Sequence, residues 1–595
     1  MLLPKQSRNY VTGLAAACSL LLIACSSEEV RQVNLIPKPE QMTMTGGTFT
    51  VDSLALFGGQ SSRNIKTVID EAWSGNPEGY QLDVTPGGID LRAGSPDGLF
   101  YGMQTLRQLY SGGEVPCVSI QDNPRFGYRG LHLDVSRHFF SKEEVMKLLD
   151  VMSFYKLNTL HMHLTDAGGW RIEIDKYPKL TSETAFRTES DWRKWWDGRD
   201  RKYLPEGTPG AYGGYYTKED IREIVKHAAS KHINIIPEIE FPGHSEEVLM
   251  AYPELSCSGK PYRNGDFCIG NEQSFTFMED VLAEVIDLFP SEYIHVGGDE
   301  AGKSAWKKCP KCQALMKEKG MKNVDELQSY MIHRAEEFLN SKDRKLIGWD
   351  EILEGGLAPN ATVMSWRGVD GGIEAAKQHH NVIMTPNTYL YFDYYQSTDT
   401  ENEPMAIGGY LPLERVYSLE PTAGIPDEYK KYVIGVQANL WTEYIPTFSQ
   451  VEYMVMPRMA ALAEVQWTDP SKKEYQSFLP RLVRMTKLYD RLGYNYAKNI
   501  FDIHAEFTTD TENGEVVVDL STMGDGDIYY TLDGSEPTSA SNKYDTPVRI
   551  KENATIKAVV VRPAGNSRVF SEKITFSKST AKPVTLRVAP SRGYE

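Results

Sequence analysis

Two adjacent carboxylates, Asp299 and Glu300, close the stretch Tyr293-Ile294-His295-Val296-Gly297-Gly298-Asp299-Glu300, in which a short apolar run gives way to two glycines and then to two acids. Neighbouring residues of an extended chain point to opposite sides, so the pair is not arranged to act on one atom. It suits two tasks on two parts of one substrate: one acid orients or stabilises, the other gives and takes a proton. A solvated surface turn is the plain alternative. The apolar lead-in and the glycines point instead to a site at the end of a buried strand.

Such a strand needs neighbours, and from about residue 123 the chain alternates strand and helix. Gly130–Val135 precedes a helix from Lys142, then come Thr159–Leu164, a helix from Lys218, Ile233–Ile239, a helix from Phe275, and Tyr293–Val296. Lys345–Trp349, Thr362–Trp366, Val382–Thr385 and Val433–Gln437 follow, giving the eight strands that close a parallel β/α barrel. Chemistry in such barrels collects at the C-terminal strand ends. There this sequence places Asp166 and Trp170, then Glu240 and His244, then Asp299 and Glu300, then Trp349 and Glu351, Trp366 and Arg367, Tyr391 and Asp393, and Trp441 and Glu443. Carboxylates and tryptophan walls gathered at one end describe a carbohydrate site, because pyranose rings seat on aromatic faces.

At this point a resemblance emerges. His295-Val296-Gly297-Gly298-Asp299-Glu300 resembles the most specific signature of the family 20 glycoside hydrolases, the β-N-acetylhexosaminidases. Arg129-Gly130 through Leu133-Asp134, Gly169-Trp170-Arg171 and Pro242-Gly243-His244 recur beside it, and the likeness covers roughly residues 30–490. It implies an exo-acting, retaining hydrolysis of terminal N-acetylhexosamine in which the 2-acetamido oxygen replaces an enzyme nucleophile. By the same resemblance, Asp299 orients the acetamide and stabilises the oxazolinium-like intermediate, Glu300 is the general acid and base, and Tyr391 donates to the acetamide oxygen. Trp349, Trp366 and Trp441 box the sugar, Asp393 and Glu443 bond its outer hydroxyls, and Asp166 with His244 tunes Glu300.

Glu300 must stay protonated near neutrality for this role, and a charged Asp299 beside tryptophan walls is expected to raise its pKa. The family's sugar-binding arginine matches Arg129, whereas the strand-end rule alone selects Arg137. Ala167-Gly168 departs from the Asp-Gln that many members carry, which leaves the local loop chemistry open.

His161 and His163, with Glu238 and Glu240 near in strand order, admit a metal reading, but core hydrogen bonding is the reading adopted, and no cofactor or metal is expected. Cys257 and Cys268 are spaced to close a loop disulfide in an exported protein, and Cys309-Pro310-Lys311-Cys312 reads as a local disulfide or free thiols; the latter has knuckle spacing but no second pair or close His cluster in sequence to complete a zinc site. Cys117 reads as a buried small hydrophobe.

The remaining chain frames the barrel. At 595 residues it is long enough for about three domains, and its net charge of −17 without a basic run argues against nucleic acid as a partner. Residues 1–25 read as a lipoprotein signal: Lys5 and Arg8 precede an apolar stretch from Val11 to Ile23, and Leu22-Ile23-Ala24-Cys25 resembles a lipobox, with Cys25 lipidated and the protein carried to the outer membrane, on its periplasmic or surface face. Residues 26–122 form a small α/β domain with strands at Thr48–Val51, Tyr80–Val84 and Gly88–Arg92 and a helix from Pro96 to Tyr110. The catalytic barrel spans 123–495. Residues 500–595 read as a β-sandwich with a hairpin turn at Asp533-Gly534, serving as a spacer or a glycan-binding module.

Two other readings stay open. One is a non-catalytic glycan-binding lipoprotein on a degenerate barrel. The other is a two-carboxylate retaining glycosidase with Glu240 or Glu351 as nucleophile.

Overall fold

A computed structural model describes residues 33–585 except 54–55, 57–63, 199–200, 564 and 584. The expected signal segment and Cys25 lie outside the described residues. No helix among the described residues is long and apolar enough to cross a membrane.

The first layer is a five-stranded sheet in the order Gln41–Thr50, Glu114–Asp122, Tyr80–Thr85, Gly88–Ala93, Ile65–Ile69. Pro116 obscures the second of these in sequence; it sits at the register irregularity between Met44 and Thr48, where a missing N–H is tolerated. The helix Pro96–Leu109 starts where Ser95 accepts from the Gly98 N–H and proline occupies the first turn. It buries Tyr101, Leu106 and Leu109.

The barrel strands are β1 (Tyr128–Asp134), β2 (Thr159–His163), β3 (Asn234–Glu238), β4 (Tyr293–His295), β5 (Lys345–Trp349), β6 (Thr362–Ser365), β7 (Val382–Met384) and β8 (Val433–Ala438). They close in sequence order, with β8 pairing back to β1. Both faces of these strands are buried, and in β1 and β2 apolar residues alternate with buried polar ones such as His132, His161 and His163. The helices Lys142–Phe154 and Lys218–Ser230 each open on a capping box, Ser141 with Glu144 and Thr217 with Asp220.

The N-terminal sheet seats on the closed end of this barrel through buried polar ties. Asp122 accepts from Lys156 Nζ at 3.0 Å and from Trp467 Nε1 at 3.0 Å. Glu78 pairs with Arg129 through both guanidinium nitrogens, at 2.8 and 3.0 Å.

At the C-terminus, one sheet holds His504–Asp510, Glu515–Ser521 and Val548–Ile550, and a second holds Asn542–Lys543, Asp527–Thr531, Ala554–Val561 and Phe570–Ile574. Val518, Ile556, Ala558 and Val560 form the core between them. Asp533-Gly534 is not the tight hairpin expected. Asp533 makes a local turn by accepting from Ser535 N–H at 3.0 Å, but its strand pairs with Asn542–Lys543 only after a longer loop.

A second correction concerns the cysteines. Cys257 and Cys268 are free thiols rather than a disulfide, as are Cys117, Cys309 and Cys312.

Candidate active site

The open end of the barrel carries a cavity of about 260 Å³, smaller than the roughly 300–1,000 Å³ of general ligand pockets and suited to one sugar ring. Its acids come from β4. After His295 the chain leaves extended geometry at Gly297, φ +67°, and Gly298, φ +95°. Both positions demand glycine twice over: a Cβ at Gly297 would lie 1.8 Å from Glu240 Oε2, and one at Gly298 would lie 2.6 Å from Ile352 Cγ2. The turn gives the two acids different surroundings. The side chain of Asp299 is 10 % exposed and that of Glu300 59 %.

His244 joins them. Its Nε2 lies 3.5 Å from Asp299 Oδ2 and 3.5 Å from Glu300 Oε2, while its Nδ1 faces Asp166 Oδ2 at 3.3 Å. Burial opposes charge on the imidazole, but Asp166, Asp299 and Glu300 outweigh it and place its pKa well above 6.5. Asp166 stays ionised despite burial because Arg137 and His244 hold its pKa well below the usual range. Asp299 moves the other way: burial raises it, with His244 pulling back.

Glu300 departs from expectation. The hydrogen bond with His244 lowers its pKa, against partial burial, so in the free protein the pair's proton resides on His244. The reason is position: Glu300 faces the half-open mouth and a cation rather than the apolar walls.

The walls are aromatic. Trp349, Trp366, Trp441, Tyr391 and Tyr394 line the cavity. Trp366 and Tyr391 stack at 6.1 Å and 21°, and Trp349 stands 5.8 Å from Trp441. Their orientations are fixed from behind: Trp349 Nε1 donates to Glu238 Oε1 at 2.8 Å, and Trp366 Nε1 to Glu351 Oε2 at 2.9 Å. Asp393 and Glu443 complete the lining. Burial, then Glu443, hold Asp393 well above the carboxylate range, and burial raises Glu443 against the pull of Arg137. Neutral acids can donate as well as accept, which suits sugar hydroxyls.

Glu238 also bonds His163 Nδ1 at 2.6 Å, with His295 Nδ1 at 2.9 Å and His161 Nε2 at 3.1 Å close by, and Gln437 Nε2 lies 3.0 Å from His161 Nδ1. The histidines of β2 thus serve a buried hydrogen-bond network beneath the cavity.

Arg129 is not in the cavity. It begins β1 at the opposite end of the barrel, 1 % exposed, with its guanidinium committed to Glu78, the Lys156 carbonyl and the Phe126 carbonyl. Arg137 lines the cavity instead. Asp134, at the end of β1, accepts from the Ser136 and Arg137 N–H groups and turns the chain inward. Arg137 then bonds Asp134 at 3.1 Å and Asp166 at 2.7 Å, approaches Glu443 at 3.6 Å, and lies over Trp441. Asp166 stands behind the lining, against Arg137 and His244. Neither Glu240 nor Glu351 lines the cavity. Tyr394 and Ile407 do, the first beside the expected Asp393 and the second from a loop with no sequence signal.

Residues 126–470 match glycosyl hydrolase family 20, catalytic domain, and residues 54–123 match domain 2 of that family. The chain belongs to glycosyl hydrolase family 20. It is 39 % identical to a beta-hexosaminidase of Porphyromonas gingivalis over 99 % of this chain and 82 % of the relative. It is 32 % identical to a beta-hexosaminidase of Akkermansia muciniphila over 78 % of this chain and 92 % of the relative. Among solved structures, a family 20 exo beta-N-acetylglucosaminidase from Vibrio harveyi, in complex with N-acetylglucosamine, superposes with a TM-score of 0.70 at 32 % identity, covering 78 % of each chain. Residues 518–574 match a module described as Fn3 associated. Within this family 20 barrel, Gly168 packs against the chain after β1, where a Cβ would lie 2.5 Å from the Ser136 carbonyl oxygen.

Proposed function

We propose that this family 20 enzyme is an exo-acting β-N-acetylhexosaminidase that releases a terminal, non-reducing GlcNAc or GalNAc from glycans with retention. The observation that carries this reading is the unequal pair: Asp299 Oδ1 is buried without a hydrogen-bond partner, while Glu300 reaches the mouth. An orphaned buried carboxylate oxygen calls for a donor, and a substrate acetamide N–H supplies one.

In the first step the acetamido oxygen attacks the anomeric carbon as the bond to the leaving oxygen breaks. Glu300 delivers the proton to that leaving oxygen, drawing on the proton shared with His244. Asp299 accepts from the acetamide N–H and stabilises the positive oxazolinium ring. Tyr391, whose phenol burial and Asp393 keep protonated, donates to the acetamide oxygen and holds it in line. Trp349, Trp366 and Trp441 exclude water and clasp the ring. Water then opens the oxazolinium, with Glu300 as base. Arg137, Asp393 and Glu443 hold the outer hydroxyls, and a cavity of one-ring size supports exo action. The two-carboxylate alternative lacks a nucleophile, because Glu240 and Glu351 lie behind the lining.

The test compares aryl β-N-acetylhexosaminides with the matching plain hexosides. Turnover confined to the N-acetyl substrates, near-complete loss in Asp299→Asn and Glu300→Gln, and inhibition by a thiazoline mimic of the cyclised intermediate are expected. Comparable turnover of plain glucosides, or a glycosyl adduct on a carboxylate, contradicts the mechanism.

We further propose that Cys25 is the lipidated anchor of an exported outer-membrane protein. Support comes from the basic, apolar and lipobox pattern of residues 5–25. Radiolabelled palmitate is expected to enter the full chain and not Cys25→Ala.

A further inference from the structure

Four cysteines distant in sequence meet beside the active-site loops. Cys257 and Cys268 lie on the segment after β3, and Cys309 and Cys312 on the segment after β4, with all four sulfurs within 4.8 Å of one another. Three separations are tight: Cys257 to Cys312 at 3.8 Å, Cys268 to Cys312 at 3.8 Å, and Cys268 to Cys309 at 3.7 Å. None is a bond. A tetrahedral zinc with Zn–S of about 2.3 Å requires sulfurs about 3.8 Å apart along each edge. Disulfides would draw the sulfurs pairwise to about 2.05 Å.

The backbone is shaped to hold that arrangement. Ser256 and Phe267 pair across the first loop, setting Cys257 and Cys268 side by side. Cys309 immediately precedes the ten-residue helix Pro310–Lys319, and Cys312 stands in its first turn, where the helix N-terminus favours thiolate. Gly270 brings the two segments into contact: a Cβ there would lie 2.2 Å from the Lys311 carbonyl carbon and 2.3 Å from the Cys312 nitrogen. Cys268, Cys309 and Cys312 are buried, and a closed, all-sulfur, tetrahedral donor set is that of a structural zinc site rather than a catalytic one.

We infer that Cys257, Cys268, Cys309 and Cys312 bind one zinc ion that clamps the loop carrying His244 to the loop carrying Glu300. The second cysteine pair comes from 41 residues away, which hides the set from a local spacing search. The clamp reaches the chemistry by short steps. Phe267 N–H donates to the Pro242 carbonyl and Trp306 Nε1 to the Phe267 carbonyl at 2.8 Å, while Gly302 N–H donates to Asp266 Oδ1 at 2.9 Å.

The test is metal analysis of the full chain purified without chelator, paired with thiol chemistry. About one zinc per chain is expected, released on titration with an organomercurial, with the four thiols alkylated only after release. Cys312→Ser is expected to lose the zinc, and Cys117→Ser, at a buried site in the N-terminal domain, to keep it. Zinc far below stoichiometry, iron in its place, or disulfide-linked peptides among these four residues in non-reducing mass mapping overturns the inference. The wild-type measurements decide the matter even where Cys312→Ser fails to fold.

Discussion

Glu240 Oε2 occupies the space in which a side chain at Gly297 would begin, 1.8 Å from the built Cβ. The carboxylate that fills the inside of the catalytic turn therefore dictates a residue without a side chain. Gly297→Ala is expected to lose about 2–4 kcal/mol, from overpacking and from a left-handed backbone forced on an L-residue. It should also lose most of its activity, because Asp299 follows two residues on. Shortening the obstacle in Gly297→Ala/Glu240→Ala relieves the clash but not the backbone cost. A thermal-denaturation double-mutant cycle should show partial recovery; strict additivity contradicts the contact.

The proton arrangement around His244 predicts a specific change in pH dependence. In the wild type the alkaline limb of kcat/KM reports loss of the proton held by the His244 and Glu300 pair, which the raised pKa of His244 places well above 6.5. The acid limb reports protonation of Asp299, whose pKa burial raises and His244 pulls back. His244→Asn removes both influences, so the alkaline limb moves down and the acid limb moves up. The bell narrows from both sides, read by kcat/KM profiles on an aryl N-acetylglucosaminide. An unchanged width contradicts the shared proton.

Arg129 and Arg137 should separate cleanly. Arg129→Met breaks a buried pair remote from the cavity and is expected to cost about 3–5 kcal/mol of stability, with KM unchanged in the protein that remains folded. Arg137→Met removes the cation between Asp166 and Glu443 and is expected to raise KM and lower kcat. Chemical denaturation and steady-state kinetics on the two variants check the assignment.

Glu351 supplies a stability prediction. Burial, then Asp299, raises its pKa to about 8. The folded state therefore keeps a proton that the unfolded state releases near the ordinary value, and stability present at pH 4 declines as pH rises through about 8. Glu351→Gln mimics the protonated form. Its melting temperature should match the wild type near pH 4, where both states of the wild type hold the proton, and exceed it by a margin that grows up to about pH 8; a margin that shrinks as pH rises contradicts the shift.

The barrel was legible because each of its strands is buried on both faces, so Ile294 or Val363 could not be polar. The two acids were legible because glycines at positive φ preceded them. Arg137 was harder: its place depends on Asp134 turning the chain after β1, a hydrogen-bonded bend with no periodic signature. The lowered pKa of Glu300 is hidden in sequence for a related reason, since His244 reaches it from another loop. The strands Ile65–Ile69 and Glu114–Asp122 were hidden by exposure and by Pro116.

The wall tryptophan Trp349 is moored from underneath, to a carboxylate that three imidazoles also grip. Removing that carboxylate leaves Trp349 and His163 without their hydrogen-bond partner in a dry interior, so the deep end of the binding site resists gradual remodelling. Ile407 reaches the rim from an exposed loop and has no such mooring. Diversification toward different sugar epimers or aglycones is thereby channelled to the rim, where residues can be exchanged singly without unseating the chemistry below.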